Sequence, residues 1–313
     1  MKIVDLISGA ESRELFSAPL VLALGCFDGV HIGHADILRQ TVAIARQKGI
    51  KSAVWTFDDK LTGVLSRVKN APCITTTEEK LAQIRSLGID YAILVDFAQV
   101  RSLSPEVFVR DVLCRDCACV YAVCGFNFRF GAEAKGDGED LVRLMRENGG
   151  DGIIVPPIMY GTKVVSSTLV RECISKGDME SAARLLGRGF SIDFPVVKGN
   201  QLGRKIGIPT INQDFPSDHI IPKNGIYACL CDVDGSSYLG VANVGCRPTV
   251  SRGGIKINCE THIINYSGLL YDKRIKVVFY HRLRDEKKFD SLDSLRAAIN
   301  VDIASAREYF SKM

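Results

Sequence analysis

The sequence predicts a doubly wound α/β domain with a parallel sheet over residues 1–186, then a small β-barrel domain with a C-terminal helix over residues 187–313. Three observations predict this order. Short apolar runs alternate with amphipathic segments up to about residue 185, turn-rich strand patterns follow, and one long helical pattern closes the chain. Strands that alternate with helices need right-handed crossovers, which give a parallel sheet covered on both faces.

The first half alternates strand and helix patterns. LVLALG predicts a strand, and HADILRQTVAIARQKG predicts a helix that ends at Gly49. SAVWTF and YAILVDF predict two more strands, and the segment between them, TTTEEKLAQIRSLG, begins with a capping signature and predicts a helix. LSPEVFVRDVLC predicts a helix with Ser104 as its N-cap and Pro105 in its first turn, and ACVYAVCG predicts the next strand.

The second half reads as strands. A predicted helix that ends at Gly187 marks the boundary, after which FPVVKG, GIYACLCDV, YLGVANVG, KINCETHII and RIKVVFYHRL have strand-like patterns. SLDSLRAAINVDIASAREYF predicts the closing helix. These strands fit a barrel or a sandwich, and we favour the barrel.

Composition excludes some classes of function. The chain has 313 residues, with 40 Lys and Arg against 36 Asp and Glu and no basic tail, so we expect no nucleic-acid partner. The apolar runs are too short to span a bilayer and no secretion signal is visible, so we expect no membrane association and a cytoplasmic location. Eleven irregularly spaced cysteines favour reduced thiols over a disulfide framework.

The densest cysteine cluster is CRDCACVYAVC, which contains Cys114, Cys117, Cys119 and Cys124. Such a cluster raises the possibility of a zinc or iron–sulfur site. Because ACVYAVCG alternates like a strand, we expect neighbouring cysteines to face opposite sides of the sheet. We therefore favour buried thiols over a metal site.

The segment GCFDGVHIGH places His31 and His34 where a strand gives way to a helix. Free backbone N–H groups and the helix dipole favour an anion there, and two imidazoles can donate hydrogen bonds to a phosphoryl group. Glycines in the turn would let a polyanion approach the backbone. The alternative is a pair of surface histidines. Asp28 could orient a histidine, bind Mg²⁺ or hold its own loop.

A later segment, VSSTLVR, offers the same kind of chemistry. Ser166, Ser167 and Thr168 are good caps for a following helix, and Arg171 adds a guanidinium fork. Together these groups could hold a departing pyrophosphate. A plain N-cap is the alternative.

The segment G-x-F-D-G-V-H-x-G-H is similar to the adenylylation motif of the bifunctional bacterial riboflavin kinase/FAD synthetases, within the HxGH nucleotidylyltransferases. GFNFRFG with the following Gly136 and Asp137 resembles the flavin-side motif of that family, and VSSTLVR resembles its second nucleotide motif. The resemblance implies catalytic roles for His31 and His34. It also implies nucleotide contacts at Gly25, Phe27, Asp28, Gly33, Ser166, Ser167, Thr168 and Arg171, and flavin contacts at Asn127, Phe128 and Arg129.

Two departures from the family pattern lie near the expected nucleotide side. Cys26 replaces a residue that is usually polar, and TFDDKLTGVL (residues 56–65) stands where the family usually has a proline-containing segment. A weakened or inactive adenylyltransferase is therefore kept as an alternative.

GRKIGIPTIN resembles the riboflavin kinase signature, with Ile211 in place of a small residue. The resemblance assigns the loop with Gly203, Lys205 and Gly207 to the nucleotide. Thr210 and Asn212 supply neutral oxygens suited to Mg²⁺. A generic Gly/Pro turn before a strand is the alternative.

NCETHI places Glu260 where the family has its general base. In a strand, Cys259 and Thr261 face away from Glu260, so the carboxylate could enter a barrel mouth alone. A strand glutamate that faces solvent is the alternative. NVGCRPT and LRDEKKF also resemble family segments. Arg284 in the latter could cover the flavin ring, or belong to a solvated charge run.

The resemblance implies two reactions. The second domain would phosphorylate riboflavin to FMN with ATP and Mg²⁺, and the first would adenylylate FMN with a second ATP to FAD and pyrophosphate. The alternatives are a riboflavin kinase without effective adenylylation, a non-catalytic flavin-binding regulator, and an HxGH transferase for another substrate.

Overall fold

A computed structural model describes residues 1–5, 16, 18–58, 71–199, 201–248 and 255–313. The chain divides into two compact units, residues 1–167 and 168–313. No helix within the described residues combines the length and hydropathy needed to cross a membrane.

The first unit contains a six-stranded sheet in which every strand pair is parallel. Its strands, given in spatial order, are β1 (Lys2–Asp5), β4 (Tyr91–Val95), β3 (Lys51–Phe57), β2 (Leu20–Leu24), β5 (Cys119–Gly125) and β8 (Asp151–Val155). The predicted parallel α/β domain is confirmed, and β1 and β8 extend it at its two edges.

The central strand β2 shows why this sheet is doubly covered. All five of its residues are buried. Leu22 packs in one apolar cluster with Trp55, and Val21 packs in another cluster with Leu38. A strand that is apolar on both faces fits only between two layers, as in a parallel sheet with helices on each side.

The helices that cover this sheet begin and end at residues the sequence signals. α1 spans Ile32–Lys48 and stops at Gly49, which is left-handed at φ 66°. The next helix begins after Thr76, whose hydroxyl accepts from the Glu79 N–H while Glu79 reaches back to the Thr76 N–H, as the capping signature predicts. The remaining helices of this unit are α2 (Thr77–Ser86), α3 (Phe97–Val100), α4 (Pro105–Val107) and α5 (Gly138–Glu147), and α6 (Ser167–Lys176) runs from the unit boundary into the second unit.

The segment after α4 differs from the predicted α-helix. Ser104 caps it and Pro105 opens it as expected, but Phe108–Asp116 is a π-helix. At its end the Cys117 N–H donates to the Val112 carbonyl five residues back, at 3.0 Å. The wider turn leaves Leu113 and Phe108 in the apolar cluster on that face of the sheet.

The expectation about the cysteine cluster is wrong in one respect. β5 changes register against β2 between Leu20 and Val21, so the strand does not alternate cleanly. The irregularity places Cys119 and Cys124 in the same apolar cluster as Cys117. Burial raises the pKa of the Cys117 and Cys124 thiols to about 12, so these groups behave as small apolar side chains.

The second unit contains a closed antiparallel barrel, as predicted. Its strands in spatial order are β11 (Phe190–Val197), β12 (Ile211–Asp214), β15 (Ile255–Ile263), β14 (Ser236–Pro248), β13 (Gly225–Val233) and β16 (Arg274–Arg284). Short two-stranded pairs formed by β6 (Arg129–Phe130) with β7 (Gly136–Asp137), and by β9 (Met159–Tyr160) with β10 (Lys163–Val164), belong to the first unit.

The barrel interior is filled by the side chains that alternate inward, and its outside carries helices. Tyr227, Phe279 and Cys259 are fully buried. On the outside, Ile226 and Ala228 pack against the C-terminal helix, which the sequence also predicts. The helices of this unit are α7 (Met179–Leu186), which ends at the left-handed Gly187, α8 (Leu202–Lys205) and α9 (Leu292–Ser311).

Candidate active sites

The sheet order brings the first set of motifs to one edge. The chain runs from β2 through β3 to β4 on one side of β2, and then places β5 on the other side. At such a switch point the loops after two neighbouring strands diverge and leave a crevice at the carboxyl ends. The turn that carries His31 follows β2, and the segment that carries Asn127 follows β5, so both motifs border this crevice.

The two histidines of the first motif are stacked. Their ring centroids are 3.6 Å apart and the planes differ by 16°. His31 is the N-cap of α1, and its Nδ1 accepts a hydrogen bond from the His34 backbone N–H at 3.2 Å. Because Nδ1 accepts, the proton of a neutral His31 ring is on Nε2, which is the atom that can donate to a ligand. Phe27 packs edge-on against His34.

The turn before α1 is conformationally strained. Phe27 and Val30 are left-handed at φ 55° and 39°, and Val30 is β-branched. Each such residue costs on the order of 1–2 kcal/mol. Phe27 is completely buried, so packing holds the turn in this shape.

The glycines of this motif lie where protein side chains approach the backbone closely. A Cβ on Gly25 would lie 3.1 Å from the Phe27 ring, and one on Gly33 would lie 3.2 Å from His31 Cε1. At Gly29 a Cβ would meet Ile74 at 3.0 Å. The space left by each missing side chain is therefore used by the chain itself, and the contact of this turn with a polyanion stays a prediction.

Asp28 anchors the turn to a distant segment. It is 4% exposed, and its carboxylate accepts from the backbone N–H groups of Ile74 at 2.9 Å and Thr75 at 3.4 Å. The Asp28 carbonyl accepts from the Ser167 hydroxyl at 2.9 Å. Of the three uses considered for Asp28, loop anchoring is thus the one the contacts display, and it also ties the second nucleotide motif to the first.

Other predicted nucleotide residues lie around the start of α6. Ser166 is half-buried, Thr168 is exposed on the first turn, and Arg171 is half-buried one turn further along. Near the first motif, the Cys26 carbonyl accepts from the Thr56 hydroxyl at 2.9 Å. Of the segment 56–65, residues 59–65 lie outside the described residues.

The predicted flavin residues form a short loop after β5. Asn127 and Arg129 are exposed, and Arg129 pairs with Asp137 at 3.2 Å. Phe128 is half-buried and stacks on Phe130, with centroids 5.6 Å apart. The loop therefore presents polar groups over an aromatic base.

The kinase-like loop of the second unit closes on itself. The Gly203 carbonyl accepts from the Ile208 N–H at 2.8 Å, and a Cβ on Gly203 would lie 2.3 Å from the Ile208 carbonyl oxygen. Gly207 is left-handed at φ 76° with open space around it. His262 Nδ1 lies 2.8 Å from the Pro209 carbonyl oxygen and ties the loop to β15. The side chain of Lys205 lies outside the described part of the chain.

Glu260 lies in a row of three polar residues across the barrel wall. The strand register pairs it with Asn212 on β12 and with Asn243 on β14. Paired residues of an antiparallel sheet share a face, so the three side chains lie together. Cys259 and Thr261 face away from Glu260, as predicted, and are fully buried in the barrel. The carboxylate is nevertheless not alone, since amides flank it on both sides.

A second row lies beside the first. Asn258 is 3% exposed, and the register pairs it with Asp214 and Gly245. A Cβ on Gly245 would lie 1.8 Å from Glu286 Oε1, so the Glu286 carboxylate occupies the place of the missing side chain. Sequence reasoning assigned no role to Asn258 or Glu286. Asn258 precedes Glu260 by two residues, and residues at this spacing share one face of a strand. That spacing was the available signal for Asn258.

The comparisons with known proteins agree with this arrangement. The riboflavin kinase family model matches residues 186–310, and the FAD synthetase family model matches residues 14–169. A bifunctional riboflavin kinase/FMN adenylyltransferase from Pseudomonas fluorescens is 36% identical and covers 97% of each chain. The enzyme of the same name from Listeria monocytogenes is 33% identical over 100% of this chain and 99% of its own.

The chain belongs to the bifunctional riboflavin kinase/FMN adenylyltransferase family. It carries an FAD synthetase domain before a riboflavin kinase domain, and both activities belong to it. A solved structure described as a macrolide-efflux protein from Streptococcus pneumoniae is 27% identical, covers 98% of this chain and 99% of its own, and has a TM-score of 0.85. The fold of each of the two units is therefore shared with that structure.

The segment around β12 and the polar row of Glu260 offer an oxygen donor set that fits Mg²⁺. Thr210 and Asn212 lie on one face of the β12 segment, and Asn212 Oδ1 keeps one lone pair after accepting from Asn258 at 3.1 Å. Glu260 lies across the register from Asn212. Mg²⁺ in kinases is held by one or two protein oxygens together with substrate phosphates, so neutral oxygens beside one carboxylate suffice.

Arg284 is held by the C-terminal helix. Its Nε and Nη2 donate to the Asp302 carboxylate at 2.8 and 2.7 Å, and its Nη1 donates to the Asp285 carbonyl. One face of the guanidinium lies 5.9 Å from the Phe289 ring centroid. These hydrogen bonds use three of the five N–H donors of the guanidinium and give Arg284 a structural role. The flavin contact expected for this residue stays a prediction.

Proposed function

We propose that adenylyl transfer takes place in the crevice beyond β2 and β5, with His31 and His34 as the catalytic residues. The stacked pair at the N-terminus of α1 is the observation that supports this most. An FMN phosphate oxygen attacks the α-phosphorus of ATP, the bond to the bridging oxygen breaks, and pyrophosphate leaves. The attacking phosphate has no proton to lose. The site therefore needs donors, which His31 Nε2, the His34 ring and the helix N-terminus provide.

The two substrates bind on either side of these rings. On the nucleotide side, Ser166, Ser167, Thr168 and Arg171 hold the departing pyrophosphate through hydroxyls and a guanidinium, while Gly25, Phe27, Asp28 and Gly33 shape the turn. The flavin side is the loop with Asn127, Phe128 and Arg129. Arg129, paired with one carboxylate on the surface, keeps further donors for a phosphate.

Phosphorylation of riboflavin takes place at the polar rows of the barrel wall, with Glu260 as the general base. The ribityl 5′-hydroxyl gives its proton to the carboxylate as its oxygen attacks the γ-phosphorus of ATP, and ADP leaves. The loop with Gly203, Lys205 and Gly207 covers the nucleotide phosphates. Thr210 and Asn212 would hold Mg²⁺, which would neutralise charge on the transferred group.

We assign the adenylyltransferase to residues 1–186 and the kinase to residues 187–313. The FAD synthetase match ends at 169 and the riboflavin kinase match begins at 186, which leaves α6 and α7 between them. By packing, α7 and all of α6 after Ser167 group with the barrel, so the boundary between the compact units lies earlier in the chain than the proposed boundary between the activities. A cytoplasmic location is proposed from the eleven irregularly spaced cysteines, a pattern typical of a reducing compartment.

Incubation of the purified protein with riboflavin, ATP and Mg²⁺, followed by chromatography of the flavins, tests both assignments. FMN should form first and FAD should follow. In the His31→Ala variant the reaction should stop at FMN. Glu260→Ala should leave riboflavin unchanged and still convert supplied FMN to FAD.

Two other outcomes would correct the assignment. FMN alone from the unaltered protein would mean that Cys26 and the altered segment 56–65 have cost the first domain its activity. Unchanged riboflavin would favour a flavin-binding regulator.

A further inference from the structure

One buried amide contacts both polar groups of the kinase site. Asn258 Nδ2 lies 3.1 Å from Asn212 Oδ1 and 3.5 Å from Glu260 Oε1. Asn258 is 3% exposed, whereas Glu260 is only half-buried. The less buried carboxylate is therefore contacted by a more deeply buried amide two residues away on the same face of β15.

The hydrogen-bonding chemistry fixes which way the amide of Asn258 points. An ionised carboxylate only accepts hydrogen bonds, so the atom of Asn258 nearest Glu260 must be its NH₂ group. That group has two protons, one for each partner. Asn212 is held from its other side by Gly199, where a Cβ would lie 2.4 Å from the Asn212 Nδ2.

We propose that Asn258 is a positioning residue for phosphoryl transfer, in which one NH₂ group fixes the separation of the Asn212 oxygen and the Glu260 carboxylate. The proposal rests on the roles proposed above for Asn212 and Glu260. Its physical basis is orientation: a base placed wrongly by a fraction of an ångström loses rate without loss of substrate binding. A neutral amide achieves this without adding charge beside the phosphates.

A buried amide on the neighbouring strand provides the control. Gln213 is fully buried on the opposite face of β12, and its Nε2 donates to the carbonyl oxygens of Phe194 and Ile275, each at 2.7 Å. It joins three strands but contacts neither Asn212 nor Glu260 in these hydrogen bonds. The substitution Gln213→Leu therefore measures how far the loss of a purely structural amide changes stability and kcat.

The first test compares kinase constants in the full-length chain. Asn258→Leu, which keeps the number and branching of the side-chain heavy atoms and removes both amide protons, should lower the riboflavin kinase kcat by about 10- to 100-fold, the usual effect of losing a residue that orients a ligand or base. Its KM for riboflavin should stay within about threefold. Asn258→Gln, which keeps an NH₂ group, should recover part of kcat. Gln213→Leu should lower the melting temperature and leave kcat unchanged.

The second test needs neither turnover nor Mg²⁺. In ¹⁵N-labelled protein, the side-chain NH₂ resonance that disappears in Asn258→Leu should shift when Glu260 is changed to Gln, and should stay in place in Gln213→Leu. The proposal would be overturned if Asn258→Leu kept the wild-type kcat, or if the Asn258 resonance kept its chemical shift in Glu260→Gln. Failure of the unaltered protein to phosphorylate riboflavin would instead overturn the proposed function.

Discussion

Removal of the charge on Asp302 should loosen the C-terminal helix from the barrel. The Asp302 side chain is 5% exposed and accepts two hydrogen bonds from Arg284, whose side chain is 27% exposed. Breaking a fully buried pair costs about 3–5 kcal/mol. Asp302→Asn keeps one acceptor, and solvent can reach part of Arg284, so we expect a cost of about 2 kcal/mol.

For a unit of this size that cost corresponds to a fall in melting temperature of about 4–8 °C. Differential scanning calorimetry of the full-length chain measures it, and added riboflavin with ADP and Mg²⁺ identifies the barrel transition by its upward shift. Glu308→Gln is the matched control. It breaks the pair with Lys312, the C-cap residue of the same helix, where both side chains are about 70% exposed, and should change the melting temperature little.

The same variants decide the role of Arg284. If Arg284 holds α9, then Asp302→Asn and Arg284→Met should both lower the melting temperature while the KM for riboflavin changes little. A loss in Asp302→Asn no larger than that in Glu308→Gln would refute the reasoning. A large rise in KM in Arg284→Met alone would restore the flavin contact predicted from the family resemblance.

Three further predictions follow from the packing. Gly33→Ala would place a Cβ 3.2 Å from His31 Cε1, so the His31 ring must move by a few tenths of an ångström. The rate of FAD formation from FMN should fall by about 10-fold. An unchanged rate would contradict the role of Gly33 in making room for the His31 ring. Burial raises the pKa of Cys117 and Cys124 to about 12, above the ordinary value of about 8.5 in the unfolded chain. Their contribution to stability should therefore be complete below about pH 8.5 and decline towards pH 12, by up to about 1.4 kcal/mol per pH unit for each thiol; urea midpoints that stay constant from pH 8 to pH 10.5 would argue against it. The structure describes all eleven cysteines, and Cys246 is the exposed one among them. Maleimide should therefore label Cys246 first, which mass spectrometry can detect. Earlier labelling of Cys117 or Cys124 would exclude their buried placement.

The features that the sequence predicts well are those that depend on neighbours along the chain. The cap of α2 at Thr76 and the end of α1 at Gly49 follow from local hydrogen bonds and a left-handed glycine. The stack of His31 on His34 has the same origin, because the rings are three residues apart at one helix start. Each of these features is set within one turn of the chain.

The features that the sequence does not predict depend on distant contacts. The role of Gly29 as a site for Ile74 requires a segment about 45 residues away to dock on the turn. The placement of Cys119 and Cys124 in one apolar cluster depends on a register change between β2 and β5. The contact of Asn258 with Asn212 can be recognised only when β12 and β15 are paired in the observed register. No periodicity in a single segment contains that information.

The two sites differ in the way that their chemistry requires. At the site proposed in the crevice of the parallel sheet the nucleophile is a phosphate, which has no proton to lose, and the groups there are donors: imidazole Nε2–H of His31 and the start of α1. At the site proposed on the barrel wall the nucleophile is an alcohol, which must lose a proton, and the central group is the acceptor Glu260, which the donor Asn258 contacts. A site built from donors suits the first reaction and would leave the second without a base. Each half of the chain should therefore lose its own activity through one substitution and keep the other.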